Sequence, residues 1–111
     1  MQGKKLNEFI DSLYFNPEME FAFSNKRFLI SGYYENNEYT LRIDSIESDS
    51  VNVFFVKCKN AQDCVNEFEK AKLFDGRTIY EAHDEITVLY GWRNKVVLQA
   101  IIISPEKALF R

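Results

Sequence analysis

At Glu18 the apolar residues of this chain change their period, and that change limits the possible fold more than any other feature. Before it, Leu6, Phe9, Ile10, Leu13 and Tyr14 recur at helical spacing, with Lys5, Glu8 and Asp11 turned outward. Asn16-Pro17 ends that helix, because the residue before a proline is pushed out of the helical region. After it, Met19, Phe21 and Phe23 alternate with Glu20, Ala22 and Ser24, as in a half-buried strand. Ser24-Asn25-Lys26-Arg27 reads as a turn into a second strand, Phe28 to Tyr34. Glu35-Asn36-Asn37-Glu38 reads as another, since asparagine tolerates positive φ. Tyr39, Leu41 and Ile43 then alternate with Thr40, Arg42 and Asp44. After a polar loop, Val51 to Lys57 gives a fourth strand. Links this short imply an antiparallel meander.

Beyond the meander the period returns to that of a helix. Asn60 caps it, Asp63 favours its N-terminus, and Ala61, Cys64, Val65, Phe68 and Ala71 form its apolar stripe, closed by Leu73-Phe74. Thr78 with Glu81 is a capping box, and Ile79, Ala82, His83, Ile86, Leu89 and Tyr90 keep helical spacing up to Gly91. A strand from Glu85 to Tyr90 competes with that helix, because Ile86, Thr87 and Val88 favour strands. Val96 to Ser104 is apolar on both faces and reads as a buried strand, stopped by Pro105; 106–111 reads as a last helical turn. The expected fold is α+β: an antiparallel sheet of four or five strands with two or three helices on one face, in one domain spanning 1–111. Phe9, Phe21, Phe23, Phe28, Leu41, Val53, Phe55, Val65 and Phe68 are the expected core.

The chain is long enough for that core: 111 residues bury about 65% of the surface an unfolded chain exposes. Ten Phe and six Tyr against four Gly and two Pro argue against extended disorder. Its single histidine and two cysteines exclude most enzyme mechanisms. A Ser/His/Asp triad would need His83 itself, and a metal site on its helix lacks a ligand one turn away, where Ile79, Tyr80, Ile86 and Thr87 stand. Cys58 lies between Lys57 and Lys59, a setting that would activate an exposed thiol, while Cys64 sits on an apolar stripe. Two cysteines in a domain of this size read as reduced thiols, and with no apolar stretch near 20 residues the expected location is the cytoplasm. No catalytic, metal-binding or cofactor-binding residue is expected.

Net charge is −3, which argues against a nucleic-acid partner. The charge is uneven: from Glu35 to Asp49 five acids face only Arg42, a balance of −4, and from Arg93 to Arg111 four bases face only Glu106, a balance of +3. Tyrosines beside the acidic run mark the expected contact surface: Tyr33, Tyr34, Glu35, Glu38 and Tyr39. The implied partner is another protein, not a nucleic acid or a membrane, met by a monomer or small homo-oligomer. A small-molecule binder or minor enzyme with a pocket between sheet and helices is the alternative, and a deep polar pocket would favour it.

The run Lys72-Leu73-Phe74-Asp75-Gly76-Arg77-Thr78, continuing through Asp84-Glu85 to Tyr90, resembles small uncharacterised bacterial proteins of unknown function. In those a strand meander is likewise followed by an aspartate-glycine turn and an acidic segment. The resemblance covers about residues 18–90 and implies a fold without assigning an activity or a site.

Overall fold

The computed structural model describes residues 1–47 and 51–90. The expected strand at 96–104 and the helical turn at 106–111 lie outside the described residues. The order is α1 (Leu6–Ser12), β1 (Glu18–Phe23), β2 (Lys26–Glu35), β3 (Glu38–Ser45), β4 (Asn52–Cys58), α2 (Ala61–Lys70), α3 (Ile79–Ala82), a 3₁₀ turn (His83–Glu85) and β5 (Ile86–Tyr90). The strands form one antiparallel sheet in the order β4-β3-β2-β1-β5, with the helices against one face, so the fold is α+β.

Local chemistry sets the turns. Ser24 and Asn25 between β1 and β2, and Asn36 and Asn37 between β2 and β3, all have positive φ, as a two-residue hairpin loop requires to match strand twist. The first turn is therefore tighter than the four residues expected. Asn60 Oδ1 accepts the Asp63 N–H at 2.9 Å to start α2. Lys70 is its last residue, since Ala71 is already extended, so Leu73 and Phe74 belong to the following turn and not to the helix. The Phe74 and Arg77 backbones bond each other across that turn, with Asp75 and Gly76 both at positive φ.

The helix expected from Thr78 to Gly91 survives for one turn only. Thr78 and Glu81 cap each other as the capping box demands, but α3 stops at Ala82 and Ile86–Tyr90 is a strand. The physical reason is tertiary. Strand β1 has a free edge on which the β-branched run can pair, Phe23 against Ile86 and Phe21 against Val88. Ile86 and Val88 are buried while Leu89 is exposed, a period of two. The far edge of β5 is itself occupied in part: Gln2 N–H donates to Ile86 O at 3.0 Å and Val88 N–H donates to Gln2 O at 2.8 Å.

The core lies between the helices and the inner sheet face. Phe9 of α1, Phe68 of α2, Phe21 and Phe23 of β1, Leu41 of β3 and Val65 of α2 are buried together, with Phe28 partly buried against them. Phe55 and Val53 are not part of it, which corrects the expected core. Phe55 is 53% exposed and Val53 43%. Strand β4 is apolar at both parities, so composition alone leaves its facing undecided; pairing decides it. Arg42 pairs with Phe55 and Ile43 with Phe54, so Phe55 shares the outer face with Arg42 while Phe54 and Val56 turn inward. A register shift next to Asp44 leaves Val53 as an extra residue at the sheet's rim.

Candidate interaction surface

The five expected contact residues divide between two faces and the core. Tyr33 and Tyr34 are consecutive on β2 and so point to opposite sides. Tyr33 takes the outer face at 38% exposure. Tyr34, at 59%, stands at the end of the inner face, its ring 4.8 Å from that of Tyr39. Glu35 and Glu38 flank the hairpin tip. Tyr39 is not on the surface at all. It is fully buried, and its hydroxyl donates to Leu13 O at 2.6 Å while accepting the Asn16 N–H at 3.2 Å. Burial pushes that phenol up from 10.0 to about 12. Gly32 makes the arrangement possible, because a Cβ there would lie 2.6 Å from Tyr39 Oη and 2.7 Å from Pro17 Cδ.

The structure gathers a different set around Tyr33. Cross-strand register places Tyr33-Thr40-Lys57 in one row of the outer face and Ser31-Arg42-Phe55 in the next. Arg42 is the hub. Its Nε and Nη2 each donate to Asp44 at 2.9 Å, and its guanidinium lies 5.9 Å from the centre of the Phe55 ring. Asn52 Nδ2 donates at 2.9 Å to Asp44 Oδ1, the oxygen that also accepts from Arg42 Nη2. The Arg42 bonds hold the Asp44 carboxyl below its ordinary value; burial opposes the shift and Asn52 supports it. The Arg42 guanidinium is raised in turn, chiefly by Asp44 and also by the Tyr33 hydroxyl. Under this cluster the Thr40 hydroxyl is fully buried and has no hydrogen-bond partner among the described residues.

Phe55 is the member that sequence reasoning missed. Its outward facing follows from its pairing with Arg42, a register with a shift beside Asp44 that no local sequence signal reveals. The −4 balance of the acidic run is also smaller in effect than in count. Asp44 is paired to Arg42, Glu47 accepts the Arg27 backbone N–H at 2.8 Å, and Asp49 lies outside the described residues. Glu35 and Glu38 remain as acids without an ion pair among the described residues.

Around His83, the described residues assemble no catalytic or metal-binding group. His83 is half-buried with Nδ1 3.4 Å from Asp84 Oδ1, and that nitrogen makes no hydrogen bond among the described residues. Among those residues, no three His, Cys, Asp or Glu side chains are grouped to hold a metal ion, and no helix is long and apolar enough to cross a membrane. A cleft of about 240 Å³, much of it open mouth, lies where Leu73 and Phe74 meet Phe23, Phe28 and Val53. Its lining side chains are all apolar, so it offers neither an acid nor a base for catalysis. Comparison with protein-family models, curated proteins and solved structures finds no match to this chain.

Proposed function

We propose that this chain is a non-catalytic protein-interaction module of the cytoplasm, and that it engages another protein through the outer sheet face centred on Arg42. The observation that carries this reading is the exposed Tyr33-Arg42-Phe55 cluster. Tyrosine, phenylalanine and arginine are the residues enriched in protein interfaces. Here they stand on rigid strands, and Arg42 is held in place by two bonds to Asp44, so little side-chain freedom is lost on binding. Glu35 and Glu38 at the adjoining tip favour a partner with basic residues beside an apolar contact. Association then weakens as salt rises.

Capture from the native host identifies a partner by mass spectrometry, and titration calorimetry with that partner tests the surface. Phe55→Ala and Tyr33→Ala are expected to weaken binding about tenfold or more, equivalent to about 1.4 kcal/mol. Tyr34→Ala, on the opposite face, is expected to leave affinity nearly unchanged. Parental affinity in folded Phe55→Ala and Tyr33→Ala proteins would remove this face from the interface.

A further inference from the structure

Neither cysteine takes part in the surface described above, yet the fold brings the two together. Cys58 ends β4, partly exposed and packed against the core edge; Cys64 lies in the first turns of α2 and is fully buried. The Asn60 cap turns the chain so that α2 runs back over the end of β4. Cys64 Sγ thereby rests 3.2 Å from the carbonyl oxygen of Tyr39, the residue paired in register with Cys58. It lies 3.7 Å from the carbonyl oxygen of Val56, two residues before Cys58 on the same strand. The sulfur of Cys64 thus sits over the β3–β4 pairing at Cys58, between the carbonyl of Cys58's partner on β3 and a carbonyl of Cys58's own strand. Burial raises the Cys64 thiol to about 12, and the neighbouring Cys58 thiol is the next contribution to that rise.

We propose that Cys58 and Cys64 are a reversible disulfide-forming pair, oxidised by a small disulfide of the glutathione type. Exposure sets the order of events. Cys58, the thiol solvent can reach, gives up its proton, and its sulfur attacks one sulfur of glutathione disulfide. The oxidant's S–S bond breaks, one glutathione leaves and takes up a proton, and the other stays joined to Cys58. Cys64 then loses its proton and attacks the Cys58 sulfur, expelling the second glutathione, which is protonated in turn. Two electrons and two protons have passed from the cysteine pair to the oxidant, leaving two reduced glutathiones and one internal disulfide. The attacking species is the thiolate, which is scarce for a thiol raised to about 12. The second step is therefore expected to be the slow one, and to quicken about tenfold for each unit rise in pH near neutrality. Its product is a covalent tie between β4 and the start of α2.

The full chain, equilibrated in glutathione buffers from reducing to oxidising and quenched with an alkylating agent, gives the test by intact mass and peptide mapping. The expected product has lost two hydrogens and reverts in excess reduced glutathione. Trypsin cuts after Lys59, between the two cysteines, so a joined peptide pair identifies the bridge. Cys64→Ser is expected to stop at a single glutathione on Cys58, and Cys58→Ser to leave Cys64 free. The unsubstituted chain decides the matter even where a variant fails to fold. A lasting glutathione adduct on Cys58, a dimer linked through it, or two free thiols in the most oxidising buffer would each overturn the proposal.

Discussion

Strand β3 carries both faces of the sheet within eight residues, and the two obey different physics. Tyr39, Leu41 and Ile43 face the helices and are buried among aromatic rings; Thr40, Arg42 and Asp44 face the other way, among polar groups and half-exposed rings. On the inner side stability comes from apolar area removed from water and from rings packed edge to face, as Phe9 meets Phe21 at 88° and Phe54 meets Phe68 at 77°. On the outer side the contacts are an ion pair and a cation over a ring, each worth little where water competes. The inner face holds the fold together. The outer face is conspicuous for aromatic rings that the fold does not bury, which is what supports the proposed contact surface there.

The largest expected effect lies inside. Phe68 is fully buried and its ring contacts those of Phe9, Phe54 and Phe74, so Phe68→Ala should cost about 3–5 kcal/mol in denaturant titration. A loss below 2 kcal/mol, roughly the floor for large core truncations, would mean α2 packs elsewhere. Tyr39→Phe comes next. It leaves Leu13 O and the Asn16 N–H without their partner, at about 1–3 kcal/mol. The same tyrosine gives the inner face an alkaline limit. Its phenol is raised in the folded state, so its contribution is full below pH 10.0, the ordinary value, and is lost as pH climbs through about 12. Alkaline unfolding unchanged by Tyr39→Phe would assign that limit to another group.

The adjacent pair Phe54 and Phe55 sharpens the comparison most directly. Phe54→Ala should destabilise clearly, because its ring lies against Phe68. Phe55→Ala should cost less than about 1 kcal/mol, the worth of an exposed cation–ring contact. Equal costs would show that β4 does not divide its side chains between the faces in this way.

Those two residues also mark how far the sequence could be read. The meander, the α2 cap, the Thr78 capping box and both asparagine-bearing turns were legible, because each depends on a local signal within a few residues. The facing of β4 was not, since Val51, Val53 and Phe55 alternate as plausibly as Phe54, Val56 and Cys58, and only pairing with β3 breaks the tie. Ile86–Tyr90 failed for the same reason: its helical spacing was real, but a free strand edge on β1 outweighed it. Of the contact surface, the Arg42-Asp44 face was legible from alternation, as was the outward turn of one of Tyr33 and Tyr34, but not which of the two. Tyr39 was misplaced, because its burial depends on Gly32 and on Leu13, which is far from it in sequence.

The smallest effect is the Arg42-Asp44 pair, and it tests the outer face on its own terms. Asp44 is held below its ordinary 3.8, so the pair's contribution is present above that pH and is lost as pH falls through the lower folded value. Both side chains are partly exposed, at 36% and 23%, which keeps the contribution under about 1 kcal/mol at neutral pH. Asp44→Asn preserves shape and removes the charge. Its stability should therefore fall slightly below the parent's at neutral pH, and the two should converge in strong acid, where the parent's carboxylate is protonated as well. Added salt should narrow the neutral-pH gap. A gap that persists undiminished into strong acid would mean that Asp44 acts through hydrogen bonds an amide cannot reproduce and not through its charge, and that Arg42 is held at the centre of the outer face by Phe55 and Tyr33 without the ion pair.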